Sequence, residues 1–233
     1  MSGARLSIIV PALNEEAGIA ATLRELATVR AHGAEVIVVD GGSRDRTVEL
    51  ARPLCDRLIK APRGRAAQMN AGASAARGDV LLFLHADTRL PAEADRLVLD
   101  GLAASGRGWG RFDVRIEGRH PLFPLIAATM NLRSRLTGIA TGDQAMFVEK
   151  TAFAAIGGFP DIPLMEDIVL SRRLKRLGRP LCLTARVSTS GRRWEQHGVV
   201  GTIATMWRLR LAFFFGAAPA KLAARYGYVP RQS

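Results

Sequence analysis

The amino-terminal part of the sequence alternates short apolar runs with stretches of helical periodicity, and this alternation limits the choice of fold. Short, mostly apolar runs occupy 6–10, 35–39 and 79–84. Runs of this length are typical of strands that are buried on both faces, and helical connections between such strands make them parallel. The sequence therefore predicts an α/β fold with a mixed, mostly parallel central sheet and a Rossmann-like nucleotide-binding half.

Polar residues that favour caps and turns follow these runs. Asn14 predicts the N-cap of a first helix that places Ile19 and Leu23 on one face. Asp40 and Asp87 follow the second and third runs. Because ligands of open α/β sheets bind beyond the carboxyl ends of the strands, we expect both carboxylates in one crevice.

The remaining sequence predicts further elements in a less regular order. They are a helix over 45–54, a strand over 58–60, helices over 66–76, 92–104 and 124–136, strands over 111–116 and 144–149, a helix from Met165 to about 177, and strands near Leu181 and Val187. We expect one domain over 1–198, with a nucleotide-binding half over about 1–90 and an acceptor half over about 91–198. A helical tail over 199–233 follows.

The net charge points to anionic partners. The formal charge is +12, and because only Lys60, Lys150, Lys175 and Lys221 are lysines, most of it comes from arginine. Arginine binds phosphate in bidentate geometry. A nucleotide diphosphate, a nucleic acid or an anionic membrane surface could account for the excess, and codon bias is the alternative without a partner. The arginines are dispersed, so no nucleic acid is expected.

The tail mixes apolar and basic residues. It contains three consecutive phenylalanines beside Arg208, Arg210, Lys221 and Arg225. We expect an amphipathic helix that either lies in a membrane interface or packs back on its own domain.

The sequence also indicates in which cellular compartment the protein is expected. Cys55 and Cys182 fall in a predicted helix and a predicted strand, so we expect reduced thiols. Pro11 interrupts the first apolar run before a signal-peptide core forms, and no run reaches the roughly 18 apolar residues that span a bilayer. We expect a cytoplasmic protein, either free or peripheral at the inner face of the cell membrane.

Two strand ends carry candidate ligand-binding residues. Asp40, with Gly42 and Ser43 in the following turn, could meet a nucleoside, or Asp40 could only cap that turn. In His85-Ala86-Asp87, the Asp87 carboxylate is the expected ligand of Mg²⁺ or Mn²⁺, both of which prefer oxygen. His85 is a second ligand, a ribose or phosphate contact, or a structural residue.

Further candidates lie on loops and helix starts. Arg65 and Asn70 are expected to face the nucleotide, with a solvated basic loop as the alternative. Glu166 and Asp167 open a helix, where a carboxylate can deprotonate an acceptor hydroxyl or merely cap the helix. Asp143 is a candidate for the acceptor pocket, and three residues are candidates for a diphosphate clamp with a stacking ring: Arg192, Arg193 and Trp194.

In order along the chain, these motifs resemble the family 2 glycosyltransferases. The segments that carry the resemblance are Ile8-Ile-Val-Pro-Ala-Leu-Asn-Glu-Glu16, Val38-Val-Asp-Gly-Gly-Ser-Arg-Asp45, Gly64-Arg65 with Asn70, His85-Ala-Asp87 and Glu166-Asp167. The chain is most similar to a compact bacterial branch of that family.

The resemblance implies a GT-A fold, a nucleotide-diphosphate sugar donor, Mg²⁺ or Mn²⁺, and inversion by single displacement. Asp40 then meets the nucleoside, Asp87 the metal and Asp167 the acceptor hydroxyl. Glu15 belongs to a loop that wraps the base, together with Pro11, Leu13 and Asn14. A UDP-sugar is the favoured donor and a GDP-sugar the alternative. The acceptor stays open between lipid-linked molecules, small metabolites and polysaccharides.

The sequence departs from the family pattern at two positions. His85 stands where the family has the first carboxylate of its D-x-D pair, which leaves Asp87 as the one certain metal carboxylate. Ser190 stands where processive synthases have glutamine, so we expect a single transfer per encounter.

Two other classes of protein are alternatives. A sugar-nucleotide-forming nucleotidyltransferase usually has an early Gly-rich loop with Arg and Lys, whereas 11–16 reads Pro-Ala-Leu-Asn-Glu-Glu. A binding module that uses the basic surface on membrane or nucleic acid would not need the carboxylates at the predicted strand ends.

Overall fold

The computed structural model describes residues 5–225, with the side chains of Arg193, Gln196 and His197 left aside. One sheet of eight strands runs in the order β3-β2-β1-β4-β7-β6-β8-β5. The strands are β1 (Leu6–Ala12), β2 (Glu35–Asp40), β3 (Arg57–Lys60), β4 (Val80–Phe83), β5 (Thr88–Arg89), β6 (Trp109–Glu117), β7 (Phe147–Glu149) and β8 (Leu181–Ser190). The expected mixed α/β sheet is confirmed.

The first four strands form a parallel half-sheet. β1 lies between β2 and β4, and β3 pairs with the far side of β2, all in parallel register. The chain therefore builds outwards from β1 to β3 and then returns to the other side of β1 with β4. Strand order reverses between β1 and β4, which is where open α/β sheets bind ligands.

Helices cover both faces of this sheet. They are α1 (Ile19–Glu25), α2 (Ala27–Ala31), α3 (Thr47–Ala51), α4 (Arg65–Ala75), α5 (Ala94–Ser105), α6 (Phe123–Thr137), α7 (Lys150–Ala155), α8 (Glu166–Leu174), α9 (Arg192–His197), α10 (Val199–Phe214) and α11 (Pro219–Arg225). Ile8 and Val36 pack with α1 and α5, whereas the alternate residues Ile9 and Ile37 pack with α4 and α8. The mostly apolar runs thus supply two cores, one on each face.

The second half of the sheet is mixed. β7 is antiparallel to both β4 and β6, and β5 is antiparallel to β8. β6 and β8 are parallel, with a register irregularity between Phe112 and Asp113. The separate strands expected near Leu181 and Val187 are therefore wrong: they are parts of β8, which stays continuous by pairing along β6.

Helix α6 is fastened to β6 by buried polar contacts. The guanidinium of Arg111 is fully buried and bonds Asp113 on its own strand and Ser134 on α6. Asn131 exchanges two hydrogen bonds of 2.9 and 3.0 Å with the backbone of Val114. These contacts fix which face of α6 meets the sheet.

The first helix begins later than its sequence predicts. α1 starts at Ile19, and no side chain caps it. Asn14 has a φ of 55° and accepts a 2.9 Å hydrogen bond from the backbone N–H of Arg44. Asn14 as the N-cap is therefore wrong, because its carboxamide joins a neighbouring turn that is distant in sequence.

The tail packs back on the domain. Val199 of α10 packs with Ile116 and Phe123, while Leu209 of α10 and Leu222 of α11 form a cluster with Met165 and Ile168. Residues 226–233 of the predicted tail lie outside the described residues. Between residues 5 and 225, no helix combines the length and apolar character needed to cross a membrane.

Candidate active site

A cavity of about 440 Å³ opens where the strand order reverses. The ends of β1 and β4, the starts of α4 and α8, and the helices α9 and α10 contribute to its wall. Seven wall residues are ones expected to contact the nucleotide or metal: Pro11, Leu13, Glu15, Arg65, His85, Ala86 and Asp87. The acceptor-side candidates Asp143, Glu166, Asp167 and Trp194 also lie there.

The turn after β2 lies beside this cavity and outside its wall. Asp40 is buried, and its carboxylate accepts hydrogen bonds from the backbone N–H groups of Gly42 and Ser43. Ser43 Oγ in turn accepts a 3.0 Å bond from the backbone N–H of Asn14. The capping role of Asp40 is therefore present in the fold, and nucleoside contact by Asp40, Gly42, Ser43 and Asn14 stays a prediction.

Asn70, which was expected to face the nucleotide, contacts a distant loop, and its contact with the nucleotide stays a prediction. Its carboxamide exchanges hydrogen bonds of 2.9 and 3.0 Å with the backbone of Phe159. This pair ties α4 to the loop before α8. Gln68 lines the cavity instead, and its Nε2 donates to the backbone oxygens of Ala12 and Val39. Gln68 thus holds the ends of β1 and β2 together.

Asp87 and Glu15 form the acidic end of the cavity. Asp87 is exposed on the loop after β4. Burial and the nearby charge of Asp87 raise the pKa of Glu15, while Arg192 and Arg65 act in the opposite direction. A cation between these carboxylates would relieve their repulsion.

The donor set fits a divalent cation that takes most of its ligands from elsewhere. The described residues contain no cluster of three or more acidic, histidine or cysteine side chains able to hold a metal by themselves. Mg²⁺ and Mn²⁺ sites of this kind use one or two carboxylates, with waters and substrate phosphates completing the shell. Asp87 can supply that carboxylate.

His85 faces the acceptor side. Its Nδ1 lies 3.4 Å from Oδ1 of Asp143. A Cβ at position 142 would collide with the imidazole, so Gly142 allows the ring to lie against the backbone. Burial raises the pKa of Asp143, but the hydrogen bond and charge of His85 bring it below its ordinary value.

Glu166 and Asp167 lie at the start of α8, preceded by Met165 with a left-handed φ of 69°. Asp167 accepts a 3.0 Å bond from the backbone N–H of Gly142 and a 2.7 Å bond from that of Ile168. Glu166 is only 5 % exposed. Burial, followed by the adjacent Asp167 charge, raises the pKa of Glu166 to about 7.

Helix α9 carries the candidates for a diphosphate clamp. Trp194 lines the cavity, and Arg192 is close enough to Glu15 for its charge to lower the pKa of that carboxyl. The backbone N–H of Arg192 bonds Ser190 Oγ at 3.2 Å. The side chain of Arg193 lies outside the described residues, so its role stays a prediction.

Sequence reasoning missed two arginines near this site. Arg210 of α10 lines the cavity, and Arg133 of α6 interacts electrostatically with Asp167 and Asp143. Neither residue belongs to a local motif. Their relation to the site depends on how α6 and the tail pack, which no local pattern encodes.

Solved structures show a fold similar to that of this chain. The S. aureus TarS structure in complex with UDP has a TM-score of 0.65 at 20% identity, over 80% of this chain and 60% of that chain. Mannosyltransferase PcManGT from Pyrobaculum calidifontis, in complex with GDP-Man and Mn²⁺, has a TM-score of 0.64 at 21% identity, over 100% of this chain and 67% of that chain. These similarities establish the GT-A fold.

Curated relatives match part of the sequence. An undecaprenyl-phosphate 4-deoxy-4-formamido-L-arabinose transferase from Pseudomonas paraeruginosa is 34% identical over 99 residues, which is 38% of this chain and 29% of that protein. A PGL/p-HBAD biosynthesis glycosyltransferase from Mycobacterium bovis is 39% identical over 104 residues, 42% of this chain and 40% of that protein. The matched segment is thus less than half the length of each relative.

The family comparison covers a larger part of the chain. The family model described as glycosyl transferase family 2 matches residues 7–156, which include β1 to β7 and the acidic end of the cavity. The chain therefore belongs to glycosyl transferase family 2.

Proposed function

We propose that the protein moves a sugar from a nucleotide-diphosphate sugar to an acceptor hydroxyl, with inversion at the anomeric carbon. The observation that carries this proposal is the single cavity that contains Asp87 after a parallel strand and Asp167 at a helix start. A strand-end carboxylate can bind a divalent cation beside a diphosphate. A separate carboxylate can deprotonate an incoming hydroxyl. The same fold holds UDP in TarS and GDP-Man with Mn²⁺ in PcManGT, which supports the donor class.

The donor is proposed to enter along the ends of β1 and β2. Pro11, Leu13 and Glu15 form one side of the cavity, and Arg65 at the first position of α4 adds a cation. The Asp40 turn adjoins this side and would approach the ribose or base. A UDP-sugar is the favoured donor and a GDP-sugar the second choice.

A divalent cation is proposed to bind at Asp87, with Mg²⁺ or Mn²⁺ completing its shell from donor phosphates and water. When bound, it neutralises negative charge on the departing diphosphate. Arg192, and Arg193 by its place in the sequence, would add positive charge on the same side. Trp194 offers a ring against which a sugar can stack.

Asp167 is proposed as the general base. The acceptor oxygen forms a bond to the anomeric carbon as the bond from that carbon to the diphosphate oxygen breaks. The hydroxyl proton passes to Asp167, and the nucleoside diphosphate leaves. The two backbone N–H groups that bond Asp167 hold its carboxylate in position. Ser190 lies in the cavity wall where processive synthases have glutamine, which supports a single transfer per encounter.

Donor binding and base catalysis can be tested separately. UDP-, GDP- and dTDP-sugars are screened by thermal shift and hydrolysis with and without Mn²⁺. We expect a metal-dependent shift with one nucleotide class. Asp167→Asn should keep that shift and lower transfer by roughly 10²- to 10⁴-fold, the usual contribution of a general base.

Asp100→Asn is the matched control, because it changes an exposed carboxylate on α5. It should leave both measurements unchanged. No shift with any nucleotide sugar in the presence of metal would exclude the proposed donor class. Full transfer by Asp167→Asn would exclude Asp167 as the base.

We also propose peripheral attachment of this protein to the inner face of the cell membrane through α10. Val200, Trp207, Leu211 and Phe214 are exposed, and their spacing places them on one face of the helix. The neighbouring α6 also exposes apolar side chains, namely Leu125, Leu132 and Leu136. Exposed Arg208 lies beside the α10 face, and a basic, aromatic helix of this kind suits an anionic bilayer surface.

A further inference from the structure

Arg133 differs from the neighbouring polar residues of α6 in its hydrogen bonding. Asn131 bonds the backbone of Val114, Ser134 bonds Arg111, and Arg135 bonds Asp113 at 2.7 Å. Arg133 has a buried Nε and a buried Nη2, and neither has a hydrogen-bond partner within residues 5–225. The contacts of its neighbours fix the helix, so the side chain of Arg133 is held in place although two of its nitrogens lack partners.

The guanidinium of Arg133 lies behind the acceptor end of the cavity. The pKa of Arg133 is lowered to about 10, mainly by burial and then by the charge of Arg210, while the carboxylates of Asp167 and Asp143 act in the opposite direction. Met130, one turn earlier on α6, lines the cavity. Arg133 is therefore close to the proposed base although its own side chain is mostly buried.

Arg210 supplies a second cation at this end. It lines the cavity from α10 and is partly buried, and the described part of the chain provides no ion pair for it. Leu209 beside it is buried against Met165 and Ile168. The same contacts that seat α10 on the start of α8 therefore bring Arg210 to the cavity.

Two unpaired guanidinium groups at one site lower the stability of the fold. An unpaired buried charge destabilises a fold, and like charges repel, so native proteins usually pair such groups. Arginine forks suit planar or tetrahedral oxyanions, and a phosphate monoester carries about −1.5 to −2 charges at neutral pH. A phosphate would match both the charge and the free donors.

The donor diphosphate has other cations available. Arg192 and Arg65 both oppose the rise in the pKa of Glu15, which places them near the acidic end where Asp87 lies. Arg65 also acts on Asp143 and Glu166, so it lies between the two ends of the cavity. Arg133 interacts with Asp143, Asp167 and Arg210. An anion between Arg133 and Arg210 would therefore belong to the molecule that approaches the base.

We propose that the acceptor carries a phosphate group and that Arg133 and Arg210 bind it beside Asp167. This inference rests on the proposed function, because it assigns the chemical class of the acceptor. The phosphate can belong to a water-soluble monoester or to a lipid headgroup. In both cases Arg133 and Arg210 determine specificity and are not the base.

The test measures phosphate binding separately from donor binding. Inorganic phosphate and glycerol 3-phosphate are titrated calorimetrically into the full chain that is saturated with UDP and Mn²⁺. Wild type should bind both ligands. Arg133→Met and Arg210→Gln should each raise the Kd by roughly tenfold or more, as expected when one partner of a charge pair is lost. Arg208→Gln, on the same helix but exposed, should bind like wild type.

Two further readouts distinguish binding from a structural role. UDP binding should be the same in all variants. The Tm of Arg133→Met should equal or exceed that of wild type, because the change removes an unpaired buried cation. A lower Tm with unchanged phosphate binding would make Arg133 structural and overturn the proposal. Equal phosphate binding by wild type and both site variants, or phosphate that competes with UDP, would also overturn it.

The source of the phosphate is resolved by competition. Phosphatidylcholine vesicles with and without phosphatidic acid are compared with glycerol 3-phosphate as competitors of inorganic phosphate. Arginine-dependent competition by the phosphatidic acid vesicles alone assigns a lipid phosphate, and competition by glycerol 3-phosphate assigns a soluble one. If no nucleotide binds to any variant, the proposed donor is wrong, which is a different result from loss of phosphate binding alone.

Discussion

Glu166 and Asp167 are adjacent in sequence, yet their carboxylates have different surroundings. Asp167 accepts two backbone hydrogen bonds, from Gly142 and Ile168. Glu166 is buried, and burial together with the charge of Asp167 raises its pKa to about 7. Near neutral pH, Glu166 is therefore partly protonated. The two adjacent carboxylates therefore differ in burial and in hydrogen bonding.

The raised pKa of Glu166 predicts how stability depends on pH. The folded protein keeps this proton up to about pH 7, whereas the unfolded chain releases it near the ordinary value of 4.5. The free energy of unfolding should therefore fall as pH rises through this window and level off above it. Each unit of pKa difference corresponds to about 1.4 kcal/mol. The free energy of unfolding should therefore fall by a total on the order of 3 kcal/mol.

Glu166→Gln should remove that dependence. We expect urea unfolding of the metal-free protein to show a gain in stability at pH 8 relative to wild type and little gain at pH 4. Asp100→Asn is the control at an exposed site and should follow the wild-type curve. Parallel curves for wild type and Glu166→Gln would show that Glu166 titrates normally.

The sequence predicts individual site residues where chemistry and position coincide in one motif. Asp87, Glu15, Arg65 and Asp167 all line the cavity, because strand ends and helix starts converge at the edge of a sheet. Asn70 has the same kind of side chain that a nucleotide site uses, but it bonds Phe159. A pairing with a loop so distant in sequence has no local signal.

Helix α10 packs against the start of α8, so it connects the stability of the tail to the position of the proposed base. Leu209 is 5% exposed and packs with Met165 and Ile168, whereas Leu211 is 59% exposed. Leu209→Ala should lower the free energy of unfolding by about 2–4 kcal/mol, since it leaves a cavity in a packed cluster. Because Met165 directly precedes Glu166, transfer should fall as well.

Leu211→Ala is the matched control on the same helix. It removes the same atoms from an exposed position and should change stability by less than about 0.5 kcal/mol. Urea unfolding of both variants and initial rates of transfer provide the comparison. Equal stability of the two variants would mean that packing of the tail does not stabilise α8.

Elements buried on both faces were the ones that the sequence predicted well. β1, β2 and β4 are mostly apolar and almost entirely buried, so their positions were predicted within a few residues. β8 differs because many of its residues are only partly buried. Its continuity comes from pairing with β6, a tertiary contact that periodicity does not report.

The whole molecule is strongly basic, with a formal charge of +12, and this charge predicts salt-dependent attachment to membranes. Each Lys or Arg near an anionic bilayer contributes about 1 kcal/mol, which salt screens. In co-sedimentation we expect binding to vesicles that contain phosphatidylglycerol, weaker binding at high salt, and little binding to phosphatidylcholine alone.

A double substitution tests whether α10 forms the contact. Trp207→Ser with Phe214→Ser should reduce vesicle binding, because both side chains are exposed on the same face of the helix. Leu177→Ser removes an equally exposed apolar side chain outside α10 and is the control. Unchanged vesicle binding, or a dimer that forms through this face instead, would contradict membrane attachment.

Trp207 is exposed and Arg210 lines the cavity, yet only about 4.5 Å of helix rise separates them. The proposed surface contact and the proposed reaction site are therefore close together along α10. For an acceptor carried by a lipid, substrate would be met by diffusion in two dimensions. Turnover would then follow the mole fraction of acceptor within the bilayer, and diluting it with inert lipid would slow the enzyme even at constant bulk concentration.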